Sequence, residues 1–122
     1  MQNQIQNDLK IANDIGLQFL QAFFSQNADI SNFYGNDSIL TFEKDNFIGK
    51  DDIVGKLKNL QVNTIPKDYS VQPSVNGILI NFSGMFQIAG EQNQMPFTRC
   101  IFLANSNGSY YIKNDIYKVS FL

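Results

Sequence analysis

Residues 39–57, ILTFEKDNFIGKDDIVGKL, decide how this chain is read. A β-like apolar run holds one acid, Glu43, beside an aromatic, Phe42. The spacing predicts two short strands, 38–43 and 46–48, joined by a tight turn at Lys44 and Asp45. An amphipathic helix follows. Asp51 and Asp52 fall in its first turn, where carboxylates favour the helix dipole, and Lys56 and Lys58 lie near its end. Ile53, Val54, Leu57 and Leu60 form the apolar face. In this setting Glu43 has three readings: a catalytic acid lining a pocket, a docking charge for a protein partner, or an inconsequential surface residue.

Working outward, the first 24 residues read as a helix, with Ile5, Leu9, Ile15, Phe19 and Phe23 at helical spacing and Leu20 and Phe24 widening the stripe. Asn7 and Asp8 are candidate early caps. A polar break follows, with one brief second helix around Ile30, Phe33 and Tyr34, before Gly35 and Asn36 turn the chain. Beyond residue 60 the period changes. Residues 61–73 are punctuated by proline and run into YSVQPSV, the hairpin signal Asn76-Gly77 and the long strand ILINFSGMFQIAG. MPFTRCIFLAN, the turn NSNG and SYYIKNDIYKVSFL complete a meander. Helices first and then antiparallel strands predict an α+β domain rather than βαβ units.

The meander carries apolar side chains in both phases. Ile78, Ile80, Phe82 and Phe86 alternate with Leu79 and Met85, and Phe97, Ile101 and Leu103 with Cys100 and Phe102. A sheet with one wet face should alternate more cleanly. The second face is therefore expected to meet something, and a second copy of the chain is the economical partner.

A length of 122 residues suits one domain with a core of its own. Hydrophobic residues make up 43% and aromatics 13%, including 11 Phe and 5 Tyr. The formal charge of −2 and a pI near 4.8, with no Lys/Arg cluster, argue against a nucleic-acid binder. The N-terminus shows no signal-peptide pattern, and no 18-residue apolar run suggests a membrane span. Three Asn-x-Ser sequons, at Asn36, Asn81 and Asn107, are accordingly expected to be chance matches. The single cysteine, Cys100, forms no intrachain disulfide and reads as a buried structural thiol. With no histidine, Ser-His-Asp and Cys-His chemistry are excluded and a Cys/His zinc site is implausible. No metal or cofactor is expected.

LTFE, the spaced G-K-x-x-I-V-x-K-L and the closing SYYIKNDIYKVSF together resemble the nuclear transport factor 2 family, over nearly the whole chain. The resemblance implies a cone: a strongly bent antiparallel sheet wrapped around about three helices, with an apolar cavity at its wide end. It further implies a homodimer formed through the sheets. It implies binding of the small GTPase Ran in its GDP form, transport through the nuclear pore by contacts with phenylalanine-glycine repeats of nucleoporins, and residence in cytoplasm, nucleus and pore. Carried over by position, a cavity accepting a Ran phenylalanine falls on Phe42, Leu60, Ile65, Met95, Ile116 and Tyr117. The acidic rim that meets Ran lysine and arginine falls on Glu43 and Glu91. Two positions depart from the family: Ala89 stands where a first loop acid would be, and Ala12 where the first helix carries an aromatic of the repeat socket.

The same cone hosts steroid isomerases and dehydratases, so fold alone leaves an enzyme reading open. Such enzymes need a base and a hydrogen-bonding acid deep in the pocket. Asp115 and Tyr117 are the late-strand pair on one face that qualifies, but Asn114-Asp115 falls at an expected kink, where a short polar side chain closes a local backbone bond. A non-catalytic scaffold of the same fold, such as one subunit of an export heterodimer, is the other alternative. The end of the chain directly after the last strand favours a free-standing carrier over that scaffold.

Overall fold

A computed structural model describes residues 2–25, 28–60 and 62–119. Met1 in the expected first helix, Gln61, and residues 120–122 in the expected last strand lie outside the described residues. Helix α1 (Gln2–Phe23) leads through a 3-10 helix (Ile30–Phe33) to strands β1 (Tyr34–Phe42) and β2 (Asp45–Ile48). Helix α2 (Lys50–Asn59) and four long strands follow: β3 (Val62–Ser74), β4 (Gly77–Ile88), β5 (Gln94–Ser106) and β6 (Ser109–Val119). Asp29 opens the 3-10 helix by accepting a bond from the Ser31 N–H.

The strands form one sheet in the order β2-β1-β6-β5-β4-β3. Pro66 and Pro73 fall within β3, an edge strand with one neighbour only, where a missing N–H costs least. Four pairings are antiparallel, as expected of the bent sheet, and β1 and β6 run parallel. The β1–β2 hairpin docks on the free edge of the β3–β6 meander, and the chain from α2 through β5 supplies the long crossover that a parallel pair requires.

Register shifts bend the sheet. One extra residue lies in β3 between Pro66 and Asp68, and another in β6 between Ile112 and Asn114. At the first, β3 and β4 approach so closely that a Cβ on Gly84 would lie 1.9 Å from the Ile65 carbonyl oxygen. The concave face takes α1 against β3 and β4 and α2 against β1 and β2. Leu40, Ile53, Ile80, Phe97, Ile101, Leu103 and Ile112 fill the core between them. The buried stripe of α1 is Ala12, Gly16, Leu20 and Phe23, whereas Ile5 is exposed. Small residues sit at its centre because the helix lies close to β3: a Cβ on Gly16 would touch Val71 at 3.0 Å.

Alternation along β4–β6 assigns the two faces. Ile78, Ile80, Phe82, Phe86, Phe97, Ile101 and Leu103 are buried inward, while Leu79 and Ile116 remain substantially exposed and Met85, Cys100 and Phe102 half-buried on the convex face. Cys100 is thus a half-buried residue of the outer face rather than a core thiol, because the inward phase of β5 is taken by Phe97, Arg99 and Ile101.

Candidate functional site

At one end of the sheet the last residues of β1, β4 and β6 meet the first residues of β3 and β5. Parallel pairing sets Phe42 beside Tyr117, with ring centroids 5.0 Å apart. Tyr117 also meets Phe97 at 5.7 Å and Phe86 at 6.3 Å, and its hydroxyl lies 3.2 Å from that of Thr64 on β3. Met95 pairs with Phe86 across β4–β5 and is half-buried against the core. Leu60, also half-buried, is the C-cap residue of α2. Tyr117, Phe86 and Phe97 are buried, whereas Phe42, Met95 and Leu60 retain exposed surface.

Ile65 and Ile116, expected in the same cavity, stand elsewhere. Their neighbours Thr64 and Tyr117 point inward and bond to each other, so both isoleucines fall in the outward phase, 40% and 49% exposed. Of the six expected cavity residues, Phe42, Met95 and Tyr117 lie on the inner face at this end of the sheet, Leu60 ends α2, and Ile65 and Ile116 belong to the convex face.

Glu43 occupies the β1–β2 turn together with Lys44, one residue earlier than expected, in the left-handed region at φ 57°. Its N–H donates to the Tyr117 carbonyl at 3.0 Å, and its carboxylate Oε1 accepts the Val119 N–H. The Lys118 ammonium donates to its carbonyl at 2.8 Å. The side chain thus extends the β1–β6 ladder past the end of β1. Its Oε2 has no partner among the described residues. Glu91 is exposed in the loop after β4, where its N–H closes a turn on Ile88 and its carbonyl accepts the Gln87 amide. Ala89 is exposed in the same loop. Ala12 is buried in the core on the inward stripe of α1.

Three features lie beyond what the sequence reading singled out. The Lys56 ammonium rests 4.9 Å from the Phe42 ring centroid and 5.6 Å from that of Phe47, which places a cation against both rings. Thr64 anchors the tyrosine hydroxyl. Beside Tyr117, Arg99 is buried and forked onto Asp115, Nε to Oδ1 at 2.9 Å and Nη2 to Oδ2 at 2.7 Å. The Tyr34 hydroxyl donates to Asp115 Oδ2 at 2.7 Å and accepts from Arg99 Nη2 at 2.9 Å. Burial, and secondarily the Asp115 charge, hold the Tyr34 phenol well above its ordinary value. Asp115 therefore closes a buried ion pair, not the local backbone bond expected at the kink. Alternation carried the signal: a cation between inward Phe97 and Ile101 requires a buried counter-charge.

Among the described residues no group of three His, Cys, Asp or Glu side chains is placed to hold a metal. No described helix is long and apolar enough to cross a membrane.

The sequence profile of the nuclear transport factor 2 domain matches residues 7–119. Nuclear transport factor 2 of Candida albicans is 36% identical over 108 residues, covering 84% of this chain and 87% of that protein. Nuclear transport factor 2 of Saccharomyces cerevisiae is 32% identical over 118 residues, covering 89% and 94%. The structure of nuclear transport factor 2 from Cryptosporidium parvum superposes with a TM-score of 0.75 at 26% identity, over 93% of this chain and 95% of that one.

Proposed function

The chain belongs to the nuclear transport factor 2 family, and on that premise we propose that it is a nuclear import carrier for Ran in its GDP form. One observation carries this reading: Phe42, Met95 and Tyr117 lie on the inner face at one end of the sheet, where the Glu43 turn and the Glu91 loop also lie. A phenylalanine of the partner seated against Phe42 and Met95 above the Tyr117 floor would contribute about 1.5–3 kcal/mol. Glu43 Oε2 and Glu91 offer the charges for lysine or arginine at the rim. The carrier crosses the pore through phenylalanine-glycine repeats and moves between cytoplasm and nucleus. Because Ala12 is buried, the repeat socket uses other residues. The convex face, with Ile65, Leu79 and Ile116 exposed, joins two copies.

The late-strand pair that an isomerase or dehydratase reading would use is engaged elsewhere. Both Asp115 oxygens are held by Arg99, one of them also by Tyr34, and the Tyr117 hydroxyl is turned to Thr64 instead. The reading is therefore non-catalytic.

Titration calorimetry with Ran loaded with GDP or GTP tests the proposal. Binding of the GDP form alone is expected, and binding of neither form would remove it. Glu43→Gln is the informative variant, because it keeps an oxygen for the Val119 N–H while removing the charge. It should weaken binding about tenfold without loss of thermal stability.

A further inference from the structure

A buried arginine in the wall of an apolar site needs a reason. Replacing a buried ion pair by apolar residues of similar volume is often neutral or stabilising, so Arg99 is poorly explained by stability alone. Its position is specific. Arg99 is the direct cross-strand partner of Tyr117, and Asp115 lies two residues before Tyr117 on the same face of β6. The guanidinium carbon lies 4.7 Å from the Tyr117 ring centroid, with Phe23 at 5.2 Å and Phe82 at 5.8 Å. Every hydrogen bond fixing the guanidinium comes from Asp115 and Tyr34, residues that belong to neither the proposed cavity nor its rim.

We propose that Arg99 is a positioning residue for the partner-binding socket: locked by Asp115 and Tyr34, it holds the Tyr117 ring as a preset floor for an aromatic side chain of the partner. The ring is constrained at two places, its face by the guanidinium carbon 4.7 Å from its centroid and its tip by the Thr64 hydroxyl. A planar guanidinium suits the first task, since it stacks on a ring while both edges of its fork remain hydrogen-bonded. A floor fixed before binding spares the complex the entropy of ordering a side chain. The Tyr34 bond extends the device to the start of β1, and Phe23 extends it to the last turn of α1. The socket floor is in this way tied to the helix packed on the sheet.

The inference rests on the Ran reading only for its binding arm. The paired variant Arg99→Gln with Asp115→Asn removes both charges and keeps a neutral hydrogen-bonded pair. Tyrosine ring-labelled NMR, with Tyr117 assigned through Tyr117→Phe, reports the ring directly. In the native chain the two sides of the Tyr117 ring should give separate signals, because flipping is slow. In the folded double variant they should merge and move, and Ran·GDP affinity should fall about five- to tenfold at unchanged stoichiometry. A merely structural role would lower the melting temperature and leave the ring signals and the affinity of the folded protein unchanged, which would overturn the proposal. Should the double variant not fold, Arg99→Lys decides: it keeps a cation at Asp115 without the flat fork. Moved Tyr117 signals with a two- to fourfold affinity loss support the proposal, and native signals with native affinity refute it. If the native chain binds no Ran at all, the Ran reading fails while the ring signals still judge the positioning role.

Discussion

Arg99 and Cys100 are consecutive on β5, as are Asp115 and Ile116 on β6, yet each pair is divided between two environments. On the concave face Arg99 and Asp115 are locked together, 3% and 1% exposed. On the convex face Cys100 and Ile116 are cross-strand partners and Ile116 is 49% exposed. A phase of one residue thus separates a charged, saturated interior from an apolar, unsaturated surface. Apolar character alone does not identify the core side of this sheet. Among the described residues the inner face tolerates its buried polar side chains because each one has a partner. The outer face has side chains without a full complement of neighbours, including the groove of Ser70, Gln72, Leu79, Asn81 and Cys100, about 310 Å³ in volume.

The most forceful way to break this contrast is to remove one charge from inside. Asp115→Leu leaves the Arg99 guanidinium buried without its counter-ion and should destabilise the fold by about 3–5 kcal/mol. Urea denaturation measures this. Adding Arg99→Met should restore most of the loss, and a single variant as stable as the native chain would mean that the pair is not held as described. One position along the strand the outcome should differ in kind. Ile116→Glu should leave the monomer folded and weaken the proposed dimer by about 2 kcal/mol or more, roughly thirtyfold. Sedimentation velocity against concentration reads it. An undisturbed dimer would remove the convex face as the interface. A dimer that persists while Ran binding is lost would return Ile116 to the cavity.

These neighbours also mark how far the sequence carries. The fold was legible because periodicity changes from helical to strand-like near residue 61 and the three family-like motifs stand in order. That Phe42, Met95 and Tyr117 lie at one end of the sheet follows from the strand order that the resemblance implies. Ile65 and Ile116 were misassigned because position-by-position transfer ignores strand phase, and one residue of phase reverses the face. The bulges compound this, because the extra residues between Pro66 and Asp68 and between Ile112 and Asn114 each shift the alternation on one side only. Glu43 shows a different limit. Its charge was visible, but its use of Oε1 as an acceptor for the Val119 N–H depends on β1 lying parallel to β6, a pairing between segments over seventy residues apart that local pattern does not encode.

A finer probe of the inner face is alkaline pH. The phenols of Tyr34 and Tyr117 are both pushed above the ordinary value of 10.0, chiefly by burial, and for Tyr34 also by the Asp115 charge. In the unfolded chain both release their protons near pH 10, so above that pH the folded state binds more protons than the unfolded one. The stabilisation from holding these protons is complete below pH 10 and is lost as pH rises through the folded values. Each phenol then contributes a decline of up to about 1.4 kcal/mol per pH unit. Tyr34→Phe removes one titrating group, and Asp115 keeps both bonds from Arg99 in its absence. Between pH 10 and 11 the variant should therefore lose stability less steeply than the native chain, by one proton's worth of slope, when both are followed by urea denaturation. Parallel slopes would mean that Tyr34 titrates freely, and the closed Arg99–Asp115–Tyr34 arrangement would then be wrong on the concave face itself.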